Sequence, residues 1–208
     1  MDTIEKLTKV FESFPGVGTR QAKRFCHHIL SLSQSERTEL STLITSLKDN
    51  VNQCHSCYRY FSSVTNELEC SICNSTTRKK TSLLAVANDS DILAIEKSNA
   101  YNGVYFVLGG TLTLLSENES KKIRGNALLS RMQQLLAENT DKFELILGLP
   151  VNPDGENTCH YIMKKLTELE TSQQERIQVT KLGRGLSTGS ELEYADSETI
   201  LNALKNRA

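Results

Sequence analysis

Apolar residues recur at three- and four-residue steps near the start of the chain, at Ile4, Leu7, Val10, Phe11 and Phe14. That is the stripe of an amphipathic helix. Pro15-Gly16-Val17-Gly18 interrupts it, and Thr19 is placed to cap a second helix through Arg20, Ala22, Phe25, Ile29 and Leu30. A third helical pattern runs from Glu36 to about Leu47. Beyond residue 82 the period changes. Leu83–Ala87 predicts a buried strand, Asp89–Ser98 a helix, and Val104–Leu108 a second strand ended by Gly109-Gly110. A helix follows from about Asn126 to Glu138, with Ala127, Leu128, Met132, Leu135 and Leu136 as its apolar face. Phe143–Leu147 predicts a third strand, Asn157–Leu169 a helix and Arg176–Lys181 a fourth strand. Strand alternating with helix predicts an α/β unit with a parallel sheet covered on both faces. In such sheets the working residues lie at the carboxyl ends of the strands.

The chain has 208 residues, enough for one or two domains. The pattern divides it into a helical region (1–50), a cysteine-bearing segment (51–80), the α/β region (81–180) and a C-terminal glycine-containing segment (181–208). Lys and Arg number 24 against 25 Asp and Glu, a net charge of −1. That balance excludes a surface that is cationic throughout, so any contact with nucleic acid must use a local basic patch. A hydrophobic share of 38% and a charged share of 24% fit a folded globular protein rather than a disordered one. The longest apolar runs, such as Leu83-Leu84-Ala85-Val86-Ala87, fall far short of the ~20 residues of a membrane helix. Met1–Lys6 lacks the apolar stretch of a signal peptide. The expected location is cytoplasmic, with no membrane partner.

Four of the 6 cysteines form two pairs, Cys54/Cys57 and Cys70/Cys73, each with two residues inside and twelve between the pairs. A two-residue gap lets a tight turn aim both sulfurs at one centre, and two such turns complete a tetrahedral shell for Zn²⁺. A reducing compartment disfavours disulfides, and a redox pair needs only one such motif. The expectation is one structural zinc per chain, held by Cys54, Cys57, Cys70 and Cys73, with no open position for a catalytic water. His55 is expected as a surface side chain, and Cys26 and Cys159 as small buried residues.

Two helices joined by Phe14-Pro15-Gly16-Val17-Gly18 resemble a helix-hairpin-helix. Glycines at Gly16 and Gly18 permit close backbone approach, and free amides at the next helix start can hold a phosphate. Arg20, Lys23, Arg24 and His27 follow at helical spacing and share one face. The glycine turn and this basic face together predict DNA binding through Gly16, Gly18, Arg20, Lys23 and Arg24, without base reading. A second run, Arg78-Lys79-Lys80, is either a solvated face or a further phosphate contact. No Gly-Lys-Ser/Thr phosphate loop is present, and Gly183, Gly185 and Gly189 are expected as loop glycines.

The order of these parts resembles the bacterial RecR family of recombination mediators: helix-hairpin-helix, four-cysteine zinc finger, Toprim-like α/β domain and glycine-rich tail. Besides the hairpin and the cysteines, the match is carried by Asp91–Glu96, Tyr105–Gly110, Asp154-Gly155-Glu156, Arg184-Gly185-Leu186 and Glu191–Tyr194. The resemblance implies a ring-shaped homotetramer around DNA, with Arg20 and Arg24 at its DNA-contacting positions. It also implies partnership with RecO, and in some bacteria RecF, to help RecA displace single-strand-binding protein on gapped or single-stranded DNA. It places Asp91, Asp154 and Glu156 among acidic positions linked to RecO binding.

The sequence departs from that pattern at Ala87-Asn88, where a first-strand glutamate is usual, at Val151–Glu156, at Thr113-Leu114 and at Ser187–Ser190. Asp91, Asp154 and Glu156 alone are a thin ligand set for Mg²⁺, and helix capping and surface charge account for them better. The expected function is a non-enzymatic DNA-binding mediator. A Mg²⁺-dependent Toprim nuclease or primase-like enzyme is the alternative, and it would need carboxylates on both sides of a scissile phosphate.

Overall fold

A computed structural model of the chain describes residues 2–63, 67–113, 123–183, 186, 189, 191–195 and 197–205. The chain forms two compact units, Met1–Val51 and Asn52–Ala208. The expectations for Leu114, for Arg184-Gly185 and for Ser187, Thr188 and Ser190 lie outside the described residues.

The first unit is helical: α1 (Thr3–Glu12), α2 (Thr19–Ser31) and α3 (Gln34–Asn50). Asp2 and Glu5 cap α1 reciprocally: the Glu5 amide donates to Asp2 Oδ1 at 2.7 Å and the Asp2 amide to Glu5 Oε2 at 3.1 Å. The same box, Ser33 with Glu36, starts α3 two residues before the predicted Glu36. Its Ser-x-x-Glu signature stands in the sequence ahead of the apolar pattern. α2 corrects an expectation. Thr19 is its first residue rather than its cap, and Gly18 is the cap with no side chain to offer. The α1–α2 hairpin closes on Phe11, whose ring meets Phe14 and Phe25 edge-on, each at 5.6 Å. Thr8, Ala22 and Cys26 are buried, and the Thr8 hydroxyl lies 3.4 Å from Cys26 Sγ.

The second unit takes in, from Asn52 on, a two-stranded sheet of β1 (Val51–Gln53) and β2 (Tyr60–Ser62), which flanks the first cysteine pair. Its main sheet holds β3 (Lys79–Val86), β4 (Gly103–Val107), β5 (Phe143–Gly148) and β6 (Ile177–Lys181) in the order β4-β3-β5-β6. Every pairing is parallel. The connecting helices are α4 (Asp89–Ser98), α5 (Gly125–Glu138), α6 (Pro153–Leu166) and the short α7 (Thr171–Gln174). A 3₁₀ turn (Leu192–Tyr194) and α8 (Ser197–Lys205) follow. The two faces of the sheet feed two cores. Leu83, Ala85, Val104, Phe106 and Leu145 point to the side of α5 and α6. Leu84, Val86, Tyr105 and Val107 point to the other side, with Ile92 of α4 and all four paired cysteines.

α6 begins four residues before the predicted Asn157. Asn152 caps it by accepting from the Gly155 amide at 2.8 Å, and Pro153 opens its first turn. Gly155 belongs in the helix because a Cβ there would lie 1.9 Å from the Pro150 carbonyl oxygen. The helix start therefore packs directly on the end of the loop after β5.

Candidate metal centre and nucleic-acid interface

The two cysteine turns converge. Cys54, Cys57, Cys70 and Cys73 are buried, and their four Sγ atoms all lie within 4.8 Å of one another. Cys57 and Cys70 Sγ are 3.7 Å apart. That is too long for a disulfide, whose sulfurs sit about 2.05 Å apart. It matches the edge of about 3.8 Å expected when four thiolates surround one ion at ~2.3 Å. Backbone amides steady the shell, since the Cys70 amide donates to Cys54 Sγ at 3.4 Å. Without a cation the four thiols cannot all ionise. Hydrogen bonding from Cys54 is the largest cause pushing the Cys57 and Cys73 thiols up, while bonds from its neighbours hold Cys54 down. A divalent ion removes that conflict, because every sulfur then binds as thiolate. The cluster can hold a metal ion, and a four-sulfur donor set suits zinc.

The centre is fastened to the sheet. The Val107 amide of edge strand β4 donates to the Cys57 carbonyl at 2.8 Å, and the Tyr60 amide donates to Asp89 Oδ1 at 2.7 Å. Tyr58, with φ of 62°, sits in the left-handed region, the turn needed to leave the first cysteine pair. Its ring meets Phe106 edge-on at 5.4 Å and carries the Arg124 guanidinium 5.1 Å from its centroid. Arg78, left open between solvated face and phosphate contact, is neither. It donates through both Nη atoms to the Glu96 carboxylate, and Nη1 also reaches the Tyr101 and Gly103 carbonyls. Lys79 and Lys80 remain exposed. Tyr105 Oη donates to Glu96 Oε1 at 2.6 Å. Nothing in the residue pattern pointed to this ion pair, because its partners are 18 residues apart.

In the hairpin, Gly16 takes φ of +77°, a conformation that costs other residues, and the Val17 amide closes the turn on the Phe14 carbonyl at 3.1 Å. Gly18 has ordinary extended geometry. Arg20, Lys23 and Arg24 are exposed, and none of them joins an ion pair with another described residue. They do not share one setting. Lys23 and His27 line a groove together with Glu5, Lys9 and Glu12 of α1, whereas Arg20 and Arg24 are not part of its lining.

Comparison with known proteins agrees with this arrangement. The Toprim domain model matches residues 82–182, and the model for the RecR C-terminal segment matches residues 185–208. The recombination protein RecR of Prochlorococcus marinus subsp. pastoris is 33% identical over 204 residues, covering 98% of this chain and 94% of its own. That of Lactobacillus helveticus is 31% identical over 204 residues, with 98% and 96% covered. The chain belongs to the RecR family.

The acidic positions that the family resemblance singles out separate in this RecR-family chain. Asp91 is the third residue of α4 and completes its capping box, its Oδ2 accepting from the amide of the cap residue Asn88 at 2.8 Å. Asp154 and Glu156 stand in the first turn of α6, where negative charge complements the helix dipole. Glu156 pairs with Lys181 at 2.8 Å. Among the described residues the four cysteines are the one group of three or more Cys, His or carboxylate ligands close enough to share an ion. Ala87, at the end of β3, is buried, and its carbonyl accepts from the Gly109 and Gly110 amides, both at 3.0 Å. Those two glycines have φ of +90° and +138°. A side chain on Gly109 would press on the Arg124 guanidinium at 2.7 Å. Among the described residues no helix is long and apolar enough to cross a membrane.

Proposed function

We propose that this chain acts as a non-enzymatic DNA-binding mediator of recombinational repair, gripping the sugar-phosphate backbone through its N-terminal hairpin. The observation that carries the reading is the pairing of a glycine elbow with outward Arg20 and Arg24, two cations with no carboxylate partner among the described residues. Guanidinium groups suit phosphate oxygens because their donors form a planar fork. Lys23 contributes less, since Glu5 and Glu12 share its groove. Cys54, Cys57, Cys70 and Cys73 would hold a structural zinc, because four sulfurs would fill its shell and leave no position for a water.

By family, the chain works as a homotetrameric ring with RecO, and RecF in some bacteria, to load RecA on gapped or single-stranded DNA in the cytoplasm, at the nucleoid. Self-association finds support in α3, which buries no residue and exposes Leu43, Ile44 and Leu47. Asp91, Asp154 and Glu156 belong to the partner-facing end of the sheet. Ala87 in place of a carboxylate, with its carbonyl already committed, supports a role without cleavage.

The test is a DNA-binding titration at several salt concentrations. Binding falls steeply with salt as phosphate contacts release counterions, and Arg20→Glu with Arg24→Glu abolishes it without changing the circular-dichroism spectrum. Retained binding in that double variant removes the hairpin from the mechanism. Mg²⁺-dependent cleavage of DNA, lost in Asp154→Ala, would instead establish the nuclease. Light scattering with and without DNA reads the assembly, and a strict monomer in both overturns the ring.

A further inference from the structure

Beside the four-cysteine cluster the chain opens a cavity of about 650 Å³, inside the roughly 300–1,000 Å³ range of small-ligand pockets. Asn52, Gln53, His55, Tyr58 and Glu67 line it. The knuckle around it is held by its own backbone. The Cys54 amide donates to the Arg59 carbonyl and the His55 amide to the Leu68 carbonyl, each at 2.9 Å. Phe106 and Arg124 hold the Tyr58 ring in place. The lining is therefore preorganised by the same turns that build the metal shell.

Its chemistry is unlike that of the hairpin. Among the described residues no Lys or Arg lines the cavity, and the Glu67 carboxylate would repel a phosphate. Two carboxamides, an imidazole, a phenol ring and a carboxylate instead suit the edge and face of a nucleobase. The edge preference follows from what each group has left. Gln53 spends Nε2 on the Tyr58 carbonyl at 3.2 Å, so its Oε1 remains as an acceptor. Glu67 adds acceptor oxygens, which match the exocyclic amino group that cytosine, adenine and guanine carry and thymine lacks. His55 is exposed and supplies a stacking surface.

We propose that this cavity receives one unstacked nucleobase of a single DNA strand, favouring cytosine and adenine over thymine. The inference rests on the DNA-binding reading and adds strandedness to it, because a paired base enters a concave site only by leaving its duplex. The hairpin holds the backbone, and the cavity adds a bias in composition rather than a sequence code.

Fluorescence anisotropy with the full chain and labelled oligo(dC), oligo(dA), oligo(dT) and an abasic strand of equal length tests this. The wild type binds oligo(dC) and oligo(dA) several-fold more tightly than oligo(dT) or the abasic strand. Asn52→Ala with His55→Ala erases that difference, and the conservative Glu67→Gln narrows it, with circular dichroism and metal content unchanged in both. Equal binding of all four strands by the wild type, or a preference that survives Asn52→Ala with His55→Ala, overturns the cavity and leaves the hairpin reading intact. Arg20→Glu with Arg24→Glu abolishes binding of all four strands; if it leaves them unaffected while the cavity variants abolish the preference, the hairpin reading falls and the cavity stands.

Discussion

The two units of this chain use their apolar residues in opposite ways. In the N-terminal unit Ile4, Val10, Phe14, Leu30, Leu43, Ile44 and Leu47 are all exposed, and only Thr8, Ala22 and Cys26 are buried among the residues described there. The second unit buries Tyr105, Phe106, Phe143 and more than a dozen aliphatic side chains on the two faces of one sheet. Its four paired cysteines join the smaller of its two cores. The first unit is thus a presenting surface held by a thin core, and the second is a frame. Stability and DNA contact should therefore respond to different substitutions.

The largest effect is expected at the frame. Phe106→Ala removes a fully buried ring that also braces Tyr58, and should cost about 3–5 kcal/mol. Chemical denaturation with separate probes of the two units would read this as loss of the sheet unit. Chelation of the metal, or Cys57→Ser, should act on the same unit. A loss of even ~3 kcal/mol lowers the melting temperature by roughly 6–12 °C, read by calorimetry alongside metal content. If either change melts the hairpin first, the contrast between the units is wrong.

A middle-sized effect is expected at the Arg78–Glu96 pair, whose side chains are 17% and 28% exposed. The hydrogen bond from Arg78 is the main cause holding the Glu96 carboxyl below its usual range, and burial opposes it. Because the folded carboxyl is depressed, its stabilisation is complete above the unfolded carboxylate pKa and is lost as pH falls through the lower, folded value. Glu96→Gln should cost about 1.5–3 kcal/mol at neutral pH. The gap from the wild type should close in acid, as measured by urea denaturation across pH. Tyr101, pushed up to about 12 by burial, should stay protonated throughout that range.

Smaller effects belong to the hairpin. Gly16→Ala should cost about 1–2 kcal/mol, through left-handed geometry alone, since nothing lies within 4 Å of its missing Cβ. Gly18→Ala also meets nothing within 4 Å, and with ordinary φ it should change hairpin stability far less. Smallest of all, Arg20→Glu with Arg24→Glu should leave stability within about 0.5 kcal/mol while removing DNA binding. A large stability loss there would show that the arginines serve the fold.

Much of this was legible in the residue pattern because it is local. Strand and helix positions in the sheet unit follow from short apolar runs and helical spacing; the helix predicted at Asp89–Ser98 agrees with α4 to the residue. The cysteine pairs announced their cluster by spacing. What was missed needed a partner from elsewhere in the chain. Arg78 looked like part of a basic run until Glu96 was seen beside it. The first turn of α6, with Pro153 and Gly155, lay outside the helix predicted from Asn157. Asn152 and the close approach of Pro150 give them their place. The Ser33–Glu36 cap was readable and marks where the third helix starts.

By itself the sequence determined the alternation that yields a parallel sheet, the four-sulfur donor set, the glycine elbow and the cations after it. Each of these depends on residues within a few positions of one another, where backbone geometry leaves few alternatives. Only the tertiary structure decided which charges are committed and which are free. Arg78 is bound to Glu96, Lys23 shares a groove with acids, and Asp91 completes a capping box, while Arg20 and Arg24 have no ion-pair partner among the described residues. The physical reason is that a charge acts through what lies within a few ångströms of it, and those neighbours are set by how distant segments pack rather than by their order along the chain.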